Sequence, residues 1–562
     1  MKNGKLLEWL AWAPFLFLVL LAGYGATNLM VWDDWIHIKW AIDLIESGHW
    51  EPGLFFSRHF SGIPALPRLL YWICVRCFHA DIRFLVTCNL LCIGGTQLLL
   101  GAALRRRMEP GWNRGWALCL LGTIVASSSQ WFLLATGWGF MWLIMPLLLG
   151  AAIFVHDREL PFGAAFAAYF TIALLGSLTL GHGLIFWLVL PGLLAAQFGM
   201  ETAGKRWPWI ALWCGGTVLL FYAYLSHPHY EISAQTAGGD ANPAQALHHP
   251  AVLIRFFLGL MGGFAGQLGL SQGSVALFGL LLGAAYVVGA VFILRHRRQK
   301  PVLEQTLPWL LIGGFHLLAC ALIASGRSGA FDLSRSLSMH YVALSLYLLL
   351  AIGLLAFQIP IPGSGVTRGF LIAVAALGAL LNLAALPVGA VHFIGQASFR
   401  QLARSQLALM EVIPIEPGFS DMLTGENIPL YKRYHAITVF SQERLAELFT
   451  ARDRLAAAGE WNGDFSWQRE TGAATIRLTG TARGPLFGAR PDAAVVRVRN
   501  ADGTVSYACF RLRPSAGKTL RAHDGEWVSD WSGEMVAPPG AEIDASALAV
   551  DSGTLLPLRA EN

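Results

Sequence analysis

The chain has 562 residues, of which 55% are hydrophobic and only 13% charged, and its formal net charge is +5. That charged share is about half that of an average soluble chain, and a soluble fold cannot bury so much apolar surface, whereas lipid accepts it directly. The basic residues cluster at the ends of apolar segments, which explains the charge by loop orientation across a bilayer and leaves no call for a nucleic-acid partner.

Lys2 and Lys5 precede a first apolar run, from about Leu10 to Met30. It is near bilayer length and long for the core of a cleaved signal peptide, so it reads as an uncleaved first span. Further runs of spanning length fall near 83–104, 116–134, 138–156, 160–179, 182–200, 207–225, 273–294, 306–325, 338–358 and 368–391. The expected fold class is therefore a polytopic α-helical membrane protein with about eleven spans. With the N-terminus inside, the cytoplasmic loops hold Arg105, Arg106, Arg107 and Arg114, then Arg158, then Lys205 and Arg206. Arg295, Arg297, Arg298 and Lys300 follow on the same side, and Arg368 closes the series. This alternation satisfies the positive-inside rule and puts the C-terminus outside. The stretch Leu253–Leu270 cannot be a full span without inverting everything after it, and is expected to be an interfacial or re-entrant helix.

After His392 the composition changes. Residues 1–392 are expected to form the membrane domain, 393–460 a helical connector and 461–562 a small antiparallel β-domain of sandwich type. The last rests on alternating segments (ATIRLTGTA, AAVVRVR, SYACFRLRP) parted by turn signals such as Asn500-Ala-Asp-Gly503. Its Trp461, Trp467, Trp527 and Trp531 could stack on sugar rings, but core positions are the favoured reading. Seven of the eight cysteines lie in or beside apolar segments, and Cys509 stands alone in the β-domain, which excludes a disulfide within it. The CxxC of Cys74 and Cys77, with Cys88 and Cys92 at helical spacing, reads as small apolar packing residues. His227, His229, His248 and His249 are not at metal-ligand spacing on one element, and no metal site is expected.

The first outer loop, 31–82, breaks the charge rule, because it carries cations on the wrong side. It opens with the acidic pair Asp33–Asp34 in VWDDW. Two carboxylates at the edge of hydrocarbon lose hydration and repel each other, so at least one should be functional or paired with a cation. The stretch WIHIKWAIDLIESGHW that follows repeats Trp35, Ile38, Ile42 and Ile45 at helical spacing and reads as a helix on the membrane surface. Arg58, His59 and Arg68 in SRHFSGIPALPRLL suit phosphate recognition, with headgroup snorkelling as the plainer alternative. A late outer loop, SGRSGAFDLSRSLSMHYVALS, adds Arg327, Asp332, Arg335, His340 and Tyr341 directly before a span. His182, in LTLGHGLIFW between two spans, could line the same pocket or merely cap a turn. No GxxxxGK[ST], GxSxG or HExxH occurs.

The order and sidedness of these motifs resemble the polytopic glycosyltransferases of the GT-C fold. The resemblance lies in a first span followed by Asp33–Asp34, then RHFSGIPALPRLLYW running into the next span, then GRSG…SMHYVALS before a late one. It is close over about the first 100 residues and elsewhere rests on hydropathy and topology. It implies transfer of a sugar from a polyprenyl-phosphate-linked donor to a glycan, lipid or protein acceptor, on the periplasmic face of a bacterial inner membrane. It implies that Asp33 or Asp34 serves as general base or orients the acceptor, and that Arg58, Arg327 or Arg335 holds the donor phosphate. The sequence has His340-Tyr341 where many members have Arg-Tyr, so either Arg335 supplies the guanidinium or the donor-phosphate assignment fails. A divalent cation stays open, because members differ on it. The rival readings are a lipid-linked glycan polymerase or ligase, and a transporter or flippase. The early acidic pair argues against the first. The second would need inverted repeats and ionisable residues at span centres, and neither is evident.

Overall fold

Every apolar run named above is helical over most of its length. The computed structural model describes residues 2–30, 33–48, 52–57, 62–198, 206–226, 243–296, 299–328, 333–359, 365–409, 440–460, 462–469, 473–485, 491–515 and 526–561. Among these residues ten stretches are long and apolar enough to cross a membrane, from Gly4–Gly25 at the start to Gly365–Ala408. The chain is thus a polytopic helical membrane protein that also carries a β-domain. Leu16, Leu91, Leu98, Leu188, Val218 and Leu380 are exposed on these helices, a surface only lipid would accept.

The set of ten differs from the expected eleven in detail. Neither Phe162–Ser177, short at 16 residues, nor Trp207–Ser226, an apolar helix of 20, is among the ten. Pro250–Leu268, expected to be interfacial or re-entrant, has the length and composition of a span. It runs as an α-helix from Pro250 to Gly262 and tightens to a 3₁₀-helix over Gly263–Leu268. Gly269 then stops it in the left-handed conformation, and Ser271 caps the next helix, Gln272–Arg295, by accepting from the Ser274 amide. The two helices touch backbone to backbone. A Cβ on Gly262 would lie 2.1 Å from the Val275 carbonyl oxygen, and one on Gly279 would lie 2.0 Å from that of Leu258.

The chain divides into two compact units. The first comprises 1–20, 36–73 and 84–391. At one end of it the expected cytoplasmic loops meet as ion pairs: Arg107 with Asp157, Arg114 with Glu8 at 2.6 Å, and Arg105 with Glu8 at 3.5 Å.

The second unit comprises 21–35, 74–83 and 392–562. It contains the end of the helix Gly365–Ala408, whose 44 residues span about 66 Å, roughly twice the hydrocarbon thickness. Beyond it a helix, Gln442–Ala457, leads into two sheets. The strands are β1 (Gly463–Arg469), β2 (Thr475–Pro485), β3 (Ala493–Arg499), β4 (Val505–Arg511), β5 (Arg513–Pro514), β6 (Glu526–Val536), β7 (Glu542–Ala549), β8 (Thr554–Pro557) and β9 (Arg559–Ala560). One sheet has the order β5-β6-β2-β1-β9 and the other β4-β3-β7-β8, all antiparallel except β1 with β9. Phe465, Leu478 and Trp531 from the first sheet share one core with Val496, Val498 and Ala547 from the second, so the domain is a sandwich. The Asn500-to-Gly503 signal makes the β3–β4 turn, with Gly503 at φ +83°. Trp531 is a core residue and Trp467 packs on the core, whereas Trp461 and the side chain of Trp527 lie outside the described residues.

Candidate functional site

The segment 31–82, expected as the first outer loop, includes the helix Asp33–Ser47, the short turn Pro52–Phe55 and the helix Ala65–Phe78. Ile38, Trp40, Ala41 and Ile42 are buried while Lys39 and Asp43 are exposed, the amphipathic division the sequence shows. His37 stacks on Tyr71 with ring centroids 5.1 Å apart. Arg68 is 1% exposed; its Nη1 donates to the carbonyls of Phe55 (2.9 Å) and Ser57 (2.6 Å), and its guanidinium lies over Trp40. Arg68 therefore ties the helix Asp33–Ser47 to the loop rather than facing a phosphate. Arg58 and His59 lie outside the described residues.

Downstream of them the loop meets the turn that carries His182. The Leu66 amide donates to the Leu178 carbonyl at 2.8 Å, and a Cβ on Gly62 would lie 3.1 Å from the Gly181 nitrogen. Ile63, Ala65 and Tyr224 bury together there, and the Tyr224 hydroxyl donates to the Ser177 carbonyl. His182 sits in the 3₁₀ turn Gly181–Ile185 and is buried. Glycine permits this turn, since a Cβ on Gly183 would lie 2.0 Å from the Gly176 carbonyl oxygen.

From His182 an aromatic cluster extends to the late outer loop. His182 stacks on Trp142 at 5.1 Å. Trp142 also touches His340 and Tyr341, each at 5.3 Å, and Trp138 meets His340 at 5.5 Å. His340 and Tyr341 occupy the 3₁₀ turn Met339–Tyr341, with Tyr341 buried and His340 half-buried. Three segments remote in sequence thus converge at one place in the first unit. Trp142 stands in the first turn of Phe140–Asp157 and Asp157 is its last residue, so the cluster and the Arg107–Asp157 pair lie about 22 Å apart along one helix.

No family model, curated protein or solved structure matches the chain.

The remaining expected residues fall elsewhere. Arg327 ends the helix Lys300–Arg327, about three turns beyond Phe315, whose ring meets His182 at 6.2 Å. Arg335 belongs to the turn Leu333–Leu337, with its side chain outside the described residues, as is Asp332. Asp33 begins the helix Asp33–Ser47 and its side chain likewise lies outside them. Asp34 is fully buried in the second unit, close enough to Arg400 for their charges to attract. Burial of a carboxylate requires such a partner. One helical turn on from Arg400, Arg404 pairs with Asp551 and lies 3.7 Å from Asp492; Asp551 also bonds Arg83 at 3.1 Å, and Arg83 bonds Asp81 at 2.6 Å. Burial pushes the Asp492 carboxyl up to about 6, against the Arg404 charge and the Val550 amide that favour its ionised form. Burial also opposes ionisation of Asp551, but Arg404 and Arg83 outweigh it and hold that carboxyl below its ordinary range.

Sequence reasoning missed Trp138, Trp142, Arg400 and Arg404. An indole inside an apolar run looks like any core or lipid-facing residue. The one available signal for the arginines was their i, i+4 spacing just past the last span.

Proposed function

We propose that the protein is a membrane glycosyltransferase of the bacterial inner membrane, moving a sugar from a polyprenyl-phosphate-linked donor to a cell-envelope glycan, lipid or protein acceptor on the periplasmic face. The observation that carries this reading is the convergence of the His182 turn and the His340–Tyr341 turn on Trp142, with the loop at Gly62–Leu66 meeting the stretch of chain just before His182. The positive-inside rule puts the Arg107 end of the same helix in the cytoplasm and the aromatic cluster on the opposite face.

In this reading the acceptor oxygen attacks the sugar's anomeric carbon, the bond from that carbon to the phosphate oxygen breaks, and the acceptor proton passes to a carboxylate. By the resemblance that carboxylate is Asp33 or Asp34, of which Asp34 is buried within reach of the Arg400 charge. The half-buried His340 can donate to the departing phosphate, with Arg58, Arg327 and Arg335 as the cations that stabilise its charge. Among the described residues no three His, Cys, Asp or Glu side chains are grouped as a metal ion needs, and no step is routed through a divalent cation.

The test compares envelope glycans of cells carrying wild type, a deletion, Asp33→Asn, Asp34→Asn, or His340→Ala, at matched protein levels. The proposal expects the deletion to lose a sugar that wild type adds, and His340→Ala and at least one of the two carboxylate variants to lose most of it. A deletion with unchanged glycans, accompanied by accumulation of a lipid on one leaflet, would favour the transporter reading.

A further inference from the structure

The β-domain carries a groove that the proposed transfer reaction does not use. It has a volume of about 730 Å³, within the usual range for small-molecule sites, and it lies along the five-stranded sheet. The strand register shows how it is built. Alternate residues of β1, β2 and β6 (Phe465, Leu478, Trp531) enter the core, so their neighbours face away from it. Those neighbours form a row across four strands: Asp464 pairs with Thr481, Thr481 with Asp530, and Asp530 with Arg513. A second row beside it joins Ser466, Thr479 and Ser532. The Ser466 and Thr479 hydroxyls lie 3.1 Å apart. Four strands at about 4.8 Å spacing make a platform about 14 Å across.

The chemistry of these rows selects an occupant. Hydroxyls both donate and accept, carboxylates accept and the guanidinium donates, which is the complement of a polyol. Pro514, also in the lining, offers a small apolar surface for the C–H face of a ring. A protein partner would want aromatic or aliphatic anchors, and Phe465 and Trp531 are buried in the core instead. The backbone of β1, β2 and β6 is already paired within the sheet, which leaves no free edge there for an added peptide strand. Among the described lining residues the carboxylates of Asp464, Asp530 and Glu561 outnumber the guanidinium of Arg513, which disfavours anionic headgroups and phosphates. We propose that this sheet face is a saccharide-binding groove for a glycan chain bearing neutral or amino-substituted sugars. The proposal does not depend on the glycosyltransferase reading.

The experiment presents the full chain, in nanodiscs of neutral lipid, to an array of neutral, amino and uronic-acid oligosaccharides. At least one neutral or amino oligosaccharide should bind more tightly than millimolar, with uronic-acid chains weaker. The Asp464→Asn/Thr481→Val pair should weaken that binding at least tenfold, and Ser532→Ala, at an exposed position, should weaken it several-fold with an unchanged melting temperature. Retention of no neutral or amino glycan, best binding of acidic chains, or binding indifferent to these substitutions would overturn the proposal. Sugar transfer plays no part in the readout, so either reading can fail alone.

Discussion

The imidazole of His182 lies against the indole of Trp142, with ring centroids 5.1 Å apart and planes inclined by 30°. The same indole is also met by the turn Met339–Tyr341, through His340 and Tyr341. Trp142 is thus the common neighbour of residues from two distant segments. Trp142→Ala should lower sugar transfer at least tenfold, while Trp142→Phe, which keeps an aromatic face, should retain a substantial part. Transfer assayed in inverted and right-side-out vesicles checks this, with melting curves to separate lost activity from lost fold, since truncating a large aromatic can itself cost about 3–5 kcal/mol.

Asp34 and Arg400 are both buried, and their charges lie close enough to attract. Removing one charge takes away an attraction that its buried partner uses, at an expected cost of up to about 3–5 kcal/mol. Asp34→Asn and Arg400→Met should each lower the melting temperature of the detergent-solubilised chain, and the double variant should recover much of the loss. A double-mutant cycle with no coupling would show the pair to be incidental.

Asp492 should make stability depend on pH. Its folded-state carboxyl titrates at about 6 and its ordinary value is 3.8. Between those values the folded state holds a proton that the unfolded state has lost, so stability falls as pH rises through this window and levels off above it. Asp551 acts in the opposite sense, because its depressed carboxyl contributes stability above its ordinary value that disappears on stronger acidification. Asp492→Asn should flatten the melting temperature between about pH 4 and 6 relative to wild type.

Gly279 should not tolerate a side chain. A Cβ there would lie 2.0 Å from the Leu258 carbonyl oxygen and 2.9 Å from the Gly262 nitrogen, and backbone cannot swing aside as a side chain can. Gly279→Ala should destabilise the protein by at least the 1–3 kcal/mol or so typical of overpacking. Gly273→Ala, whose Cβ would meet only Ser271 Oγ at 4.0 Å, should be neutral or slightly stabilising. Thermal stability of the two variants in one detergent decides the matter.

The amino-acid sequence by itself determined the membrane class and the β-strands, because both follow from local periodicity. A run such as 338–358 can be satisfied only in lipid or a core, and AAVVRVR alternates at the period of a strand, which β3 matches at both ends (Ala493–Arg499). It also singled out His182, His340 and Tyr341, since a polar side chain beside an apolar run is costly and stands out wherever it occurs. Tertiary structure alone decided what surrounds them. Trp142 carries no local mark, and Arg68 reads equally well as a phosphate ligand until the carbonyls of Phe55 and Ser57 claim its guanidinium. The approach of Arg400 to Asp34 could not be read locally either, because hundreds of residues separate them in the sequence. Charge neutralisation, ring stacking and glycine-to-backbone contact act between atoms a few ångströms apart in space, and sequence separation carries no record of them.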